Sequence, residues 1–92
     1  MLFEWDDHKA VTNLRKHGVS FDEAQTVFVD DLSITIHDPE HSEEEDRWVI
    51  IGTSHNRRRL VVAYTERGHT IRLISARKAT RAERKKYEQE NF

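Results

Sequence analysis

Five side chains that could act on a phosphodiester lie on two adjacent predicted strands near the end of the chain: Glu66, Arg67, Arg72, Arg77 and Lys78. Arginine suits a phosphate because its planar guanidinium binds two oxygens at once. Cleavage of RNA needs no metal if a base removes the proton of the 2′-hydroxyl and cations stabilise the pentavalent phosphate. The set therefore indicates phosphodiester chemistry on RNA. A basic domain that binds RNA, DNA or an acidic partner without cutting it is the alternative.

The individual roles stay open at the level of sequence. Glu66 or a histidine such as His17 could act as the base, and a Lys, His or Tyr as the acid. Glu66 and Arg72 fit a cross-strand ion pair equally well. His17 also fits a residue at the end of a helix, and Ser75 fits a small packed residue better than a nucleophile.

The spacing of the two central arginines makes a structural prediction. Arg72 and Arg77 are an odd number of residues apart, so a regular strand would point them to opposite faces. They could share a face only if the strand bulges or ends near residues 75–76. We therefore expect Arg77 to lie past the regular strand, close to the start of the last helix.

A basic helix follows this strand. Thr80 and Glu83 form a capping box, which predicts a helix that starts at about Arg81 and in which the Glu83 carboxylate could be held by its capping bond. Apolar residues in this helix are few, so its cations are better explained by a polyanionic partner than by burial. The residues predicted to bind RNA are Lys78, Arg81, Arg84 and Lys85.

Charge is distributed unevenly along the chain. Residues 1–56 hold 4 Lys/Arg and 13 Asp/Glu, a net charge of −9, whereas residues 57–87 hold 11 Lys/Arg and 2 Asp/Glu, a net charge of +9. Such a division is typical of a protein with a basic face for nucleic acid and an acidic face that is solvated or meets a basic partner. Mutual neutralisation of the two halves across the fold is the alternative.

Several other chemistries lack their sequence patterns. There is no cysteine and no His-Glu-x-x-His motif, and the acidic loop around Pro39 that holds His37, Asp38, Glu40 and His41 is interpreted as solvated rather than metal-binding. Gly-rich phosphate loops and the Gly-x-Ser-x-Gly elbow are also missing. We expect neither a metal nor a cofactor.

The remaining sequence predicts an α+β fold of order β-α-α-β-β-β-β-α, with an antiparallel sheet and helices on one of its faces. Asp6 caps a first helix that ends before Gly18, and Ala10, Val11 and Leu14 form its inward stripe. A capping box of Ser20 and Glu23 starts the second helix. An edge strand is predicted at residues 3–5, and the later strands at residues 33–37, 48–51, 60–64 and 70–76.

The chain is short enough to form one domain, residues 1–92. Its N-terminus, MLFEWDD, lacks the basic and apolar regions of a signal peptide. No apolar run approaches the roughly 20 residues of a membrane span. We expect a cytoplasmic protein.

Two long segments, FEWDDHKAVTNLRKHGVSFDEA and TERGHTIRLISARKATRAERKKYE, closely resemble the BrnT toxins of bacterial type II toxin–antitoxin systems. The resemblance implies a RelE-like fold and a metal-independent endoribonuclease that arrests translation. We expect cleavage that depends on the ribosome weakly or not at all. It also implies a BrnA antitoxin that neutralises the toxin, carries the DNA-binding part and can assemble with it into larger complexes. Arg72, Arg77 and Glu83 lie in the matching C-terminal segment, which makes them the first candidates for catalysis.

Overall fold

The computed structural model describes residues 1–41 and 45–92. The elements in chain order are β1 (Leu2–Glu4), α1 (Asp7–His17), α2 (Phe21–Ala24), a 3₁₀ helix (Gln25–Val29), β2 (Ile34–Asp38), a 3₁₀ turn (Pro39–His41), β3 (Arg47–Thr53), β4 (Arg59–Arg67), β5 (Thr70–Lys78) and α3 (Arg81–Asn91). The predicted order of helices and strands is confirmed. Of the predicted acidic loop 38–46, residues 42–44 lie outside the described ranges. No helix within those ranges is both long and apolar enough to cross a membrane.

The five strands form one sheet in the order β1-β5-β4-β3-β2. Strands β2 to β5 are an antiparallel meander, as predicted. Strand β1 pairs with β5 in parallel, so the sheet is mixed rather than purely antiparallel. The physical reason is the path of the chain: β2 runs opposite to β1, and the three reversals of the meander return β5 to the direction of β1.

Alternate residues of the central strands enter two separate cores, because neighbouring side chains of a strand point to opposite faces. Leu60 and Val62 pack with residues of α1 and α2, on what we call the α1–α2 face. Val61 packs with Ala79 and with Tyr87 of α3, on what we call the α3 face. The prediction of helices on one face holds for α1 and α2 only; α3 lies on the opposite face because its buried Tyr87 packs there.

The buried stripe of α1 also differs from the prediction. Val11 is 56% exposed and Leu14 is 51% exposed, whereas Asn13 is buried. The Asn13 side-chain amide donates to the Val19 carbonyl oxygen and, across 2.9 Å, to the Ala76 carbonyl oxygen, and its Oδ1 accepts from the Ala76 N–H. Strand β1 pairs with β5 only as far as residue 72, so Asn13 supplies the hydrogen-bond partners for the backbone N–H and carbonyl of Ala76, which β1 does not reach.

Only one of the two hydrogen bonds of the capping box predicted for α2 forms. Ser20 Oγ accepts from the Glu23 N–H, but the Glu23 carboxylate does not return the bond. It accepts instead from the Arg58 guanidinium and from the Ser54 hydroxyl, both in the β3–β4 connection. These hydrogen bonds, Arg58 first, lower the pKa of Glu23 to about 2. Glu23 therefore joins α2 to the hairpin rather than closing its own helix.

Strand β5 contains the bulge that the arginine spacing requires. Tyr64 pairs with Leu73 and Ala63 pairs with Ser75, so Ile74 is the extra residue. Beyond it the side chains change faces, and Arg77 comes to the same side of the sheet as Arg72. The expectation that Arg77 lies past the strand is wrong, because pairing with β4 continues to the end of β5.

Candidate active site

A groove of about 440 Å³ lies on the α3 face, and none of its described lining residues comes from α3. Residues of three neighbouring strands form its floor, and described residues of α1 and of the segment between β2 and β3 line its sides. The described lining residues are Lys9, Glu40, His41, Glu45, Arg47, Thr65, Arg67, Arg72 and Ile74. Four of these side chains are cationic and two are acidic, so the described lining favours an anionic ligand.

The arginines of the groove differ in how firmly they are held. Arg67 donates to both oxygens of Glu45, at 2.7 and 3.2 Å, and these hydrogen bonds keep the pKa of Glu45 below its ordinary value. Arg72 has a looser partner, with Nη1 at 3.7 Å from Oε1 of Glu4. Of these two arginines, Arg72 can therefore engage an incoming phosphate with the smaller loss of existing bonds.

Thr65 is a polar residue at the floor of the groove. It is only 5% exposed, and its hydroxyl has no hydrogen-bond partner among the described residues. Thr65 pairs directly with Arg72 across β4 and β5, so both side chains project from the same face. Because an unpaired buried hydroxyl is costly, this arrangement favours a ligand that brings a hydrogen-bond acceptor to the floor of the groove.

Arg77 lies at the other end of the α3 face, beside the start of α3. Its guanidinium donates to both oxygens of Glu83, at 2.7 and 2.9 Å. Glu83 also accepts from the Thr80 N–H, and Thr80 Oγ1 accepts from the Glu83 N–H, so both bonds of the predicted capping box are confirmed. The Arg77 hydrogen bonds are the first cause that lowers the pKa of Glu83 to about 2. Neither residue is among the described lining of the groove.

The two candidate bases lie outside the groove. Glu66 is exposed and pairs with Ile71, whose side chain belongs to the α1–α2 core, so it projects from the opposite face to Arg72. The suggested ion pair between Glu66 and Arg72 is wrong, since Arg72 faces Glu4. His17 lines a neighbouring hollow of about 230 Å³, which shares only Lys9 and Ile74 with the groove.

The residues predicted to bind RNA lie along α3 and before it. Arg81, Arg84 and Lys85, together with Glu88, line a hollow of about 370 Å³ on the exposed side of the helix. Lys78 is exposed at the end of β5. The structure therefore brings three of the four predicted cations to one surface.

Of the described groove residues, only Arg67 and Arg72 are candidates for phosphate chemistry in the sequence, so Thr65 and His41 are among those that sequence reasoning missed. His41, expected in a solvated loop, lines the groove, and its Nδ1 lies 2.9 Å from Oδ2 of Asp38. The spacing Asp-Pro-x-His, which puts a carboxylate three residues before an imidazole, was the available signal. In the described ranges no group of three or more His, Asp or Glu side chains could hold a metal ion.

Comparison with known proteins supplies the family. The sequence model of the ribonuclease toxin BrnT of type II toxin–antitoxin systems matches residues 5–83. The 1.1 Å crystal structure of the Brucella abortus ribonuclease toxin BrnT is 24% identical, covers 88% of this chain and 100% of its own, and has a TM-score of 0.63, which establishes a shared fold. No curated protein matches the chain. The chain therefore belongs to the BrnT family of ribonuclease toxins of type II toxin–antitoxin systems.

Proposed function

We propose that this chain is an endoribonuclease that cuts RNA without a metal in the groove of the α3 face, with Arg72 bound to the reacting phosphate. One observation carries the proposal: Arg72 stands directly across from Thr65, whose buried hydroxyl has no partner among the described residues. A phosphate oxygen at this place would accept from the guanidinium, and also from the hydroxyl once the Thr65 side chain turns towards the groove, because the hydroxyl oxygen is closed to solvent in the unliganded chain. The pair would thus bind the group on which charge develops during cleavage.

The reaction that suits these groups begins with the 2′-hydroxyl of the RNA itself. Its oxygen attacks the neighbouring phosphorus, and the 5′ oxygen of the next nucleotide leaves. The products are a 2′,3′-cyclic phosphate and a 5′-hydroxyl. Arg72 and Thr65 stabilise the pentavalent phosphate, while Lys9 at the groove wall adds positive charge. The residues in these roles need to bind and orient the phosphate and to transfer protons, and none of them needs to hold a metal.

The nucleotides that flank the cleaved bond have a separate surface. Arg81, Arg84 and Lys85 share the exposed side of α3, and Lys78 lies at the adjoining strand end. We infer that these cations bind flanking phosphates through charge rather than through base recognition. Arg77 and Glu83, between this surface and the sheet, support the start of the helix that presents it.

A protein antitoxin is the second partner, since type II systems pair a toxin with a protein. We infer a BrnA-like antitoxin that neutralises cleavage, contacts DNA on behalf of the complex and joins the toxin in larger assemblies. Translation arrest in the cytoplasm follows from RNA cleavage by the free toxin. The family assignment and the excess of cations in the groove support this reading.

The experiment is cleavage of a defined RNA by the purified chain in the presence of a chelator. We expect catalytic cutting that leaves 2′,3′-cyclic phosphate and 5′-hydroxyl ends. As a matched control, one 2′-deoxy nucleotide at the cut position should abolish that cut alone. A 5′-phosphate product or a requirement for metal would refute the mechanism. RNA that is retarded in a gel but never cut would favour the non-catalytic binding module.

A further inference from the structure

We propose that His41 is the catalytic base, and that Asp38 orients it. This inference rests on the proposed cleavage of RNA in the groove. His41 belongs to the 3₁₀ turn after β2 and lines the groove wall. Its side chain is 58% exposed, whereas that of Asp38 is 23% exposed. The imidazole is therefore accessible from the groove while its carboxylate partner is held at the end of the strand.

The contact between the two side chains fixes one nitrogen of the ring. Nδ1 of His41 lies 2.9 Å from Oδ2 of Asp38. A carboxylate at this distance favours the tautomer with the proton on Nδ1, which leaves the lone pair on Nε2. The same carboxylate stabilises the imidazolium once Nε2 has taken a proton. Asp38 thus prepares His41 to receive a proton from a ligand in the groove.

A second His–Asp pair in the same segment provides an internal comparison. Nε2 of His37 lies 3.1 Å from Oδ1 of Asp46. The His37 ring packs on Trp48, with 4.7 Å between the ring centroids, and Trp48 belongs to the periphery of the α1–α2 core. His37 therefore projects from the face of the sheet opposite to the groove. The two histidines have the same chemistry, but only His41 meets the proposed substrate.

The proton-transfer step balances with groups that are present. Nε2 of His41 takes the proton of the 2′-hydroxyl as the 2′ oxygen forms its bond to phosphorus. The bond from phosphorus to the 5′ oxygen breaks, and the departing oxygen takes a proton from water. The imidazolium then returns its proton to the solvent hydroxide, which restores the enzyme. Within the described ranges, the charged residues that line the groove with His41 are Lys9, Glu40, Glu45, Arg47, Arg67 and Arg72, and Asp38 contacts His41 itself.

The test compares His41→Ala with its matched control, His37→Ala. We expect His41→Ala to cut RNA at least about 10²-fold more slowly, the usual contribution of a positioned base. Added imidazole should restore part of the rate. Binding of a cleavage-resistant 2′-O-methyl RNA should not change. His37→Ala should retain cleavage within a few-fold of wild type.

Two results would overturn the inference. One is wild-type cleavage by folded His41→Ala. The other is a His41→Ala variant whose cleavage is not restored by imidazole and falls by the same factor as its binding of RNA. That pattern would show that His41 has a structural role. The variant Arg72→Ala distinguishes an error about His41 from an error about the groove. If Arg72→Ala is inactive while His41→Ala is active, the groove is still the site of cleavage and another residue is the base. If both cut normally, the groove itself is refuted.

Discussion

The two ends of the α3 face each carry an arginine of β5 beside a carboxylate, and the two pairs are built differently. Arg77 binds both oxygens of Glu83, and the backbone N–H of Thr80 fixes the same carboxylate. Arg72 lies 3.7 Å from Glu4, a partly exposed residue of the edge strand. Residue type and face are therefore the same for the two arginines, and the constraint on the partner carboxylate sets how free each is to bind a ligand.

The surroundings of the two ends agree with this distinction. Beside Arg77, α3 is fastened to the sheet: Tyr87 donates to Oδ2 of Asp30 across 2.6 Å, and the Arg59 guanidinium lies 4.0 Å from the centre of the Tyr87 ring. At the other end, no described part of α3 covers the groove, and the Thr65 hydroxyl has no partner in the described chain. The Arg77 end is closed by hydrogen bonds, whereas the Arg72 end opens into the groove in which we propose that RNA binds.

The largest expected effect separates the two arginines directly. Arg72→Ala should slow RNA cleavage by about 10²-fold or more, the size found when an electrostatic stabiliser of a transition state is removed. Arg77→Ala should cut within a few-fold of wild type because its side chain is occupied by Glu83. Initial rates on one RNA, with folding checked by circular dichroism, measure both. Equal losses in the two variants would contradict the comparison.

The next effect concerns stability at the α3 end. Because Arg77 lowers the pKa of Glu83 from its usual 4.5 to about 2, the ionised carboxylate stabilises the fold above pH 4.5, and this stabilisation is lost as the pH falls through 2. Its upper limit is about 3 kcal/mol, and solvent screening lowers the actual value because the Arg77 side chain is 42% exposed. The difference in unfolding free energy between wild type and Glu83→Gln should shrink over that pH range. Glu88→Gln, in a more exposed pair with Arg59, is the control. A constant difference would show that the Arg77–Glu83 pair does not stabilise the fold.

A smaller effect should reveal the groove as a site prepared for a ligand. Thr65→Val keeps the shape of the side chain and removes the unpaired hydroxyl. We expect the free energy of unfolding to rise by about 1 kcal/mol, because the substitution removes a buried hydroxyl that has no hydrogen-bond partner and therefore destabilises the fold. Cleavage should fall about tenfold, which corresponds to one hydrogen bond in the transition state. Thermal melts and initial rates would record the two opposite changes, and a loss of both stability and cleavage would identify Thr65 as structural.

The smallest effect is expected on α3. Replacing Arg81, Arg84 and Lys85 together by Ala should lower the salt dependence of binding to 2′-O-methyl RNA, by roughly 0.7 in slope for each lost phosphate contact. Lys86→Ala is the matched control, because Lys86 is exposed on the same helix but is not among the residues described as lining the hollow. Cleavage at low salt should change little. An unchanged slope would place RNA elsewhere.

Local sequence chemistry was sufficient to predict the helix ends and much of the sheet. Gly18 has φ of 70° at the end of α1, and the caps at Asp6 and Thr80 form as predicted, because each depends on residues at most four apart. The spacing of the two arginines left a bulge or an early strand end as alternatives; the bulge is what forms, and the expected position of Arg77 past the strand is wrong. The predictions that succeeded concern groups that are close in sequence.

The failures all required knowledge of distant partners. Asn13 is buried in place of Val11 and Leu14 because β1 stops short of the second half of β5, which no pattern within α1 records. His41 lines the groove together with Thr65 of β4 and Arg72 of β5, residues that are distant from it in sequence. Likewise, the predicted ion pair between Glu66 and Arg72 does not form, because the two side chains project from opposite faces of the sheet.

The central claim is that RNA is bound at Arg72 and not at Arg77, and side-chain NMR can test it most directly. The Nε–Hε signals of both arginines would be followed in labelled protein during titration with a 2′-O-methyl RNA that cannot be cut. The spectrum of Arg72→Ala, which lacks one signal, assigns the signal of Arg72. We predict that RNA shifts the Arg72 signal in a saturable manner and leaves the Arg77 signal in place. A saturable shift of Arg77 with no change at Arg72 would contradict it.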